Sequence, residues 1–519
     1  MNIHKPWLPA TAALLILSAC GGGGGGGSAS NADPVTTEPV TPPVTQPVAP
    51  VTPVTPPVST GSDRIEPFDT AATVTASSTA AKDAAVKTQA QGVAPASAVR
   101  RVALGALAQS ATTKAASTKA VAPGEARQIG VARGVADTST VAATQALLQW
   151  RATDRGTQVA ALAFDSAGAY GVRLGVLVRG LPDGAVLRFY GADAAAAVQV
   201  SAQELAAIAA RNAQGGANDT TARTYWSPDF AGPATTLEVE IPAAAATAAV
   251  QLAVPRLSHF TVAPEAVEGA FTTKVGESES CNIDVTCRPE FSSESRSVAR
   301  MVFVRDDGKS YLCTGTLLND ARSSTTPYFL SANHCFSTQA VASTLTTDWF
   351  YRSSACNTSN INPGTVRLTG GATLLHATAT TDTAFMRLNN PAPAGVVYAG
   401  SYFGGVAVAT AVTGIHHPSG DLQKVSQGTV QRYSICTTST CQSSTSDNGT
   451  FLTTTWQQGT TEGGSSGSAL FVGIGSRRYV VGQLLGGTAS CSAPGNPDQY
   501  GRFDQPYRST LRQWLNPGT

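Results

Sequence analysis

Residues 460–471 read TTEGGSSGSALF. The stretch is too rich in Gly and Ser to pack as an element, yet it runs straight into the apolar Ala469-Leu470-Phe471. A flexible turn placed directly before a buried strand is either a linker or a place where backbone N–H groups are wanted for chemistry. In the second case Ser466 is the nucleophile. Gly464 then lets the backbone turn sharply enough for the N–H groups of Gly464 and Ser466 to point at a developing oxyanion. One such donor typically contributes about 3 kcal/mol.

A serine hydroxyl attacks poorly until an imidazole takes its proton, and a buried carboxylate must fix that imidazole's tautomer. The chain has six histidines. One of them, His334, ends the apolar run PYFLSANHC (327–335), and Asp382 in ATTDTAFMRL (379–388) sits just before another apolar run. The order His334, Asp382, Ser466 is the chain order of chymotrypsin-type triads. Each signal alone has a bland reading, as a flexible loop, a structural His or a loop Asp. Their conjunction in one region is far more specific.

That region, 276–519, carries short strand-like runs: ARMVFVRD, PYFLSAN, TTDTAFMRL, SALFVG and RRYVVGQLLGG. Gly, Asn, Pro and Ser clusters separate them, which predicts an all-β pair of small barrels. STLRQWL (509–515) predicts a terminal helix. Upstream, 145–265 reads as a small β-rich, sandwich-like domain. It has a hairpin expected across 172–192 about a Pro-Asp-Gly turn, a helix over 203–212 and a strand over 235–242. Residues 62–144 are low in complexity, rich in Ala and Thr, and show no core of their own. Residues 21–61 combine a Gly run with a Pro-Val-Thr repeat, an extended tether that no packed core can use.

The first twenty residues carry Lys5, an apolar run from Leu8 to Leu17, and then small residues up to Cys20. This predicts a secretory signal whose Leu-Ser-Ala-Cys end resembles a bacterial lipobox, with the lipid on Cys20. No later run of about 18 apolar residues suits a membrane span. Charged residues are 13 % and the net charge is +1, which gives nucleic acid nothing to recognise. The other eight cysteines, Cys281, Cys287, Cys313, Cys335, Cys356, Cys436, Cys441 and Cys491, all lie beyond residue 280. An even number in one region of an exported chain reads as a disulfide framework, open at this point to about 105 connectivities.

Residues 276–519 resemble the bacterial lysyl endopeptidases, chymotrypsin-fold serine proteases. The resemblance rests on SCNIDVTC (280–287), CTGTLLND (313–320), YFLSANHC (328–335), TTDTAFMRLNN (380–390), IHHPSG (415–420), TEGGSSGSAL (461–470), GQLLGG (482–487) and DQYGR (498–502). It implies His334 as general base, Asp382 as its partner and Ser466 as nucleophile. It also implies the pairings Cys281–Cys491, Cys287–Cys356 and Cys313–Cys335, leaving Cys436–Cys441 as a local bridge. Thr460 stands where trypsins carry their specificity carboxylate, whereas Asp498 matches the one used by lysyl endopeptidases. Leu485, Gly486 and Gly487 would then form the pocket wall and pair with substrate backbone. The family's characteristic His is replaced by Leu485, and where the family has a loop Trp this chain carries YSICTTSTCQSS, which has none.

Ser465 stands where trypsin-like zymogens have the Asp that receives a new N-terminal amine, so activation would be removal of a pro-region instead. Lys274 lies near the family's processing point and is the expected cut. Cutting there would release the catalytic part from a lipid-tethered precursor. The expected partners are protein or peptide substrates and, through Cys20, a membrane, with the chain itself a monomer. No cofactor is expected. No metal is expected either, since His416 and His417 are adjacent on a strand and face opposite ways. The contrasting reading is a non-catalytic surface binding module on a protease fold.

Overall fold

The computed structural model describes residues 63–73, 92–107, 122–262, 278–437, 440–493 and 495–518. Cys20 and Lys274 lie outside them. The C-terminal region forms two barrels. In the first, the strand order is Val366–Leu368, Thr346–Trp349, Val298–Val304, Ser310–Leu318, Tyr328–Ala332, Thr383–Leu388 and Ala372–Thr378. In the second, Arg477–Gly487, Ala469–Ile474, Ala411–His416, Lys424–Cys436, Phe451–Gln458 and Asp498–Arg502 pair in turn. The last strand pairs back on the first and closes the ring.

Separate apolar cores fill these sheets. Met301, Phe303, Phe329, Trp349 and Met386 belong to one, and Val430, Leu452, Trp456, Leu470 and Tyr500 to another. A third cluster joins Leu330 and Phe385 of the first barrel to Ile415, Phe471 and Val480 of the second, so the barrels share a core along their seam. The terminal helix is a π-helical turn over Tyr507–Leu511 followed by α-helix over Arg512–Leu515, with Leu511 and Leu515 packed into that seam.

The N-terminal domain is a β-sandwich. One sheet runs Val198–Ser201, Val186–Tyr190, Ala234–Pro242, Thr157–Ser166 and Val99–Leu104. The other runs Thr224–Trp226, Gly171–Gly180, Gln251–Phe260 and Gly130–Gly134. Their inner faces meet through Leu162, Phe164, Leu187, Phe189 and Leu237 on one side, and Val172, Leu174, Val176, Leu252 and Leu257 on the other.

Two expectations are corrected. Gly171–Gly180 and Val186–Tyr190 do not pair as a hairpin: each joins a different sheet, so the Pro-Asp-Gly turn is a crossover between layers. The turn chemistry reports a reversal, not whether the flanking strands share a sheet. The sandwich also begins well before residue 145, because Val99–Leu104 runs parallel to Thr157–Ser166 and Gly130–Gly134 pairs with Gln251–Phe260. Helix Val141–Leu147 adds to it as well. The expected helix is present as Ala202–Gln214, opened by a reciprocal Ser201–Glu204 cap.

Candidate active site

The pairing of Tyr328–Ala332 with Thr383–Leu388 puts Ala332 opposite Thr383. The residues just beyond those ends are therefore neighbours. The Asn333 N–H donates to the Asp382 carbonyl at 3.0 Å. The His334 N–H donates to Asp382 Oδ1 at 2.8 Å, and His334 Nδ1 lies 2.6 Å from Oδ2. Both side chains are nearly buried, at 8 % and 6 % exposure. Asp382 reaches inward from a left-handed backbone (φ 51°), a conformation that Asp tolerates better than most residues. With both carboxylate oxygens on His334, the imidazole is held with Nε2 outward. Arg305 fixes the same loop by donating to the carbonyls of His334 and Cys335 while stacking on Tyr311.

Ser466 comes from the second barrel, on the turn before Ala469–Ile474. Thr314 of the first barrel clamps that turn. Its N–H donates to the Ser466 carbonyl at 2.8 Å, and its hydroxyl donates to the Gly464 carbonyl at 2.9 Å. Gly467 (φ 81°) is glycine by necessity, since a Cβ there would collide with Ser331 Oγ and the Thr314 carbonyl. Gly464 (φ 103°) packs under the His417 carbonyl in the same way. Among the described residues, the N–H groups of Gly464 and Ser466 have no acceptor, as an oxyanion site requires. His334 Nε2 and the Ser466 carbonyl both lie 3.9 Å from the Cys335 sulfur. No hydrogen bond joins Nε2 to the Ser466 hydroxyl among the described residues; that hydroxyl donates to the Glu125 carbonyl at 3.5 Å.

Asp498 is buried beside this turn. Trp456 Nε1 and the Thr461 hydroxyl both donate to its Oδ2 at 2.7 Å. Oδ1 has no hydrogen-bond partner among the described residues. Burial pushes the carboxyl above its usual range, outweighing the lowering by Trp456, Thr461 and a backbone approach from Ala489. Gly487 pairs with Asp498, and a Cβ at Gly487 would run into Oδ1. The carboxylate thus has one oxygen committed to the protein and one without a donor.

Two family models match the chain. One, described as the lysyl endopeptidase C-terminal domain, covers residues 275–501, and the other, the lysyl endopeptidase N-terminal domain, covers residues 103–261. A lysyl endopeptidase of Pseudomonas aeruginosa is 35 % identical over 386 residues, which is 72 % of this chain and 77 % of that protein. The chain belongs to the lysyl endopeptidase family. It is a serine endopeptidase. Among solved structures, the active form of the Rv3671c protease from M. tuberculosis aligns with 49 % of this chain and 96 % of its own, at 13 % identity and a TM-score of 0.30. The HtrA-type protease AlgW with tripeptide aligns with 43 % of this chain and 62 % of its own, at 18 % identity and a TM-score of 0.28.

In this lysyl endopeptidase family member, a segment ahead of the sandwich strand Gly130–Gly134 lies across the site. The Gly124 N–H donates to the Leu485 carbonyl at 3.1 Å, and Pro123 sits 3.1 Å from where a Gly486 Cβ would be. Glu125 covers Ser466. Arg127–Gln128 adds a short antiparallel strand to Ser310–Leu318, and the Arg127 guanidinium donates to Ser419 Oγ at 3.0 Å. Glu125, Ala126 and Gln128 line one side of a cleft of about 720 Å³, with Tyr311, His334 and Phe336 opposite. Leu485 and Gly486 are therefore in contact with the chain's own covering segment, and Gly487 lies against Pro497 and Asp498.

The sulfurs pair as Cys281–Cys491, Cys287–Cys356, Cys313–Cys335 and Cys436–Cys441. The third bridge ties the His334 loop to the strand that carries Thr314. Thr314 and the covering segment escape sequence reading. CTGTLLND quotes Thr314 without marking it, and nothing in PGEARQ suggests a partner strand some 180 residues downstream.

Proposed function

We propose that the enzyme cuts after lysine through an acyl-enzyme, and is made as a precursor whose own segment 122–128 blocks the cleft. The observation that carries the specificity is the unpartnered Oδ1 of buried Asp498. An isolated buried carboxylate is costly, and a cation of complementary charge relieves that cost. Trp456 and Thr461 occupy the other oxygen, so one oxygen remains for the ligand. A single oxygen suits the compact ammonium of lysine better than the fork of arginine, which prefers two.

In the reaction, Ser466 gives its proton to His334 Nε2 as its oxygen attacks the scissile carbonyl carbon. Asp382 stabilises the imidazolium, and the N–H groups of Gly464 and Ser466 receive the oxyanion. The imidazolium returns the proton to the leaving amine, and water repeats the sequence on the ester. Segment 122–128, paired with Leu485 and with the Ser310–Leu318 strand, bars substrate from Ser466 until it is displaced. Cleavage after Lys274 would separate the barrels from everything before them, including the covering segment and a lipid on Cys20. The catalytic domain would then leave an envelope-tethered precursor.

Matched peptides differing only in Lys or Arg at the cleaved position test the pocket. The enzyme should favour Lys, and Asp498→Asn should lose both at unchanged labelling of Ser466 by an organophosphonate. Retained lysine preference in Asp498→Asn would remove Asp498 from the pocket.

A further inference from the structure

Among the buried imidazoles that the catalytic steps above leave unused, one lies beside the nucleophile turn. His416 ends the Ala411–His416 strand of the second barrel and has no exposed surface. Its Nδ1 lies 2.8 Å from Ser465 Oγ, and its Nε2 lies 3.0 Å from Ser426 Oγ. Ser465 immediately precedes Ser466. Ser426, Thr460 and Ser465 are likewise fully buried.

The direction of every bond in this chain follows from the hydrogens available. Ser426 has one hydroxyl hydrogen, and it donates to the Thr460 carbonyl at 2.7 Å. Ser426 can therefore only accept from His416, so Nε2 carries the proton. Nδ1 is then the acceptor, and the Ser465 hydroxyl donates to it. The Ser465 oxygen keeps a lone pair for the Glu462 N–H, which donates to it at 3.2 Å. The chain runs from the Glu462 N–H through Ser465, His416 and Ser426 to the Thr460 carbonyl, with the hydrogen of each bond placed.

We infer that His416, as a neutral imidazole, is a positioning residue that holds the nucleophile turn in its working shape through Ser465 and Ser426. One ring ties together both ends of the 460–465 turn. Thr460 leads into Thr461, which donates to Asp498, and Ser465 leads into Ser466. Burial, together with His417 and Lys424, pushes the His416 pKa down to about 3, in keeping with the neutral form the geometry requires. Gly459 (φ 70°) leaves room for the arrangement, since a Cβ there would come within 2.8 Å of Ser426 Oγ. The turn is thus tied at both ends in the uncut chain. No new amine is needed to shape it, and removal of the covering segment changes access alone. The inference rests on Ser466 being the nucleophile.

Replacing His416 itself would open a hole in the core, so single-oxygen deletions on either side of the ring carry the test. In the processed enzyme, Ser465→Ala and Ser426→Ala should each lower kcat by about 10- to 100-fold, with KM within about threefold, as expected for a displaced nucleophile. Because both act through one imidazole, the double variant should be no slower than the worse single variant. Thermal unfolding identifies variants that keep the fold. Unchanged kcat in folded Ser465→Ala, or losses that multiply in the double variant, would overturn the inference. Organophosphonate labelling of the unaltered enzyme separates the two levels. If Ser466 is not labelled, the nucleophile assignment fails and the inference fails with it. If Ser466 is labelled and the serine variants behave as unlinked, only the inference fails.

Discussion

The carboxylate of Asp382 has both oxygens on one residue, the backbone N–H and the Nδ1 of His334. It therefore sets the base loop and the imidazole tautomer together. Asp382→Asn keeps the shape but offers an amide where Nδ1–H needs an acceptor, favouring the wrong tautomer. The expected result is a fall in kcat of about 10⁴-fold with substrate binding little changed, read from steady-state kinetics on a peptide amide. A loss under tenfold would mean that His334 is oriented by something other than Asp382.

Among single residues, the His334–Asp382 pair was legible because both residues sit where strands end and because the motifs around them are distinctive. Thr314 and His416 were not. Thr314 acts through two carbonyls on the other barrel, a relation that strand patterning does not encode. His416 could be read only against a metal site. Its actual partners are serines on two other segments, and serine is too common a residue to point anywhere.

Among elements, the two-residue strand Arg127–Gln128 has little core of its own and depends on Ser310–Leu318 for its backbone partners. Arg127 adds a buried side-chain anchor on Ser419. With Lys274→Gln blocking the expected cut, the precursor should be nearly inactive. Adding Arg127→Ala should raise its activity on a small substrate several-fold by loosening the segment over Ser466. No increase would mean that Arg127 does not hold the segment in place.

The barrels were legible as closely spaced strands with turn residues between them. The covering segment was hidden inside an Ala/Thr-rich stretch whose apolar content is too low to announce a strand. The 172–192 misreading has the same root, because local patterning marks strands and reversals, while sheet membership depends on distant residues. Gly171–Gly180 takes Gln251–Phe260 as a neighbour instead of the strand that follows it.

Over the whole molecule, sandwich and barrels are joined by buried polar contacts rather than by touch alone. Arg367 bridges Asp229 of the sandwich at 2.8 Å and Asp348 of the first barrel at 2.7 Å, and Asp348 also pairs with Arg300. Burial disfavours charge on Asp348, but Arg367 and Arg300 outweigh it and hold its carboxyl below the usual range. Arg173 of the sandwich donates to the Thr344 carbonyl at 2.6 Å. Such a junction is specific, and it is costly to break one partner at a time.

Three buried histidines give the full-length chain a characteristic acid response. Burial, with neighbouring positive charge, lowers the pKa of His416 to about 3 and of His259 to about 4; burial lowers that of His417 to about 3. Each ordinarily titrates near 6.5, so between these limits the unfolded chain binds more protons than the native one. Stability therefore falls as the pH drops below about 6.5, by up to about 1.4 kcal/mol per pH unit for each histidine. Asp498 and Glu294, both raised by burial, work in the opposite sense but are two groups against three histidines, to which the lowered Asp348 adds. Urea midpoints of the Ser466→Ala precursor, which cannot digest itself, should decline from pH 7 to pH 4. A flat profile would contradict the buried, neutral histidines.

The most direct test of the central claim is digestion of a denatured protein mixture with the processed enzyme, followed by mass spectrometry of every new terminus. New ends should follow lysine, should include the enzyme's own cut after Lys274, and should vanish with Ser466→Ala. An enzyme freed of residues 122–128 that produces no new ends, or cuts that survive Ser466→Ala, would contradict it.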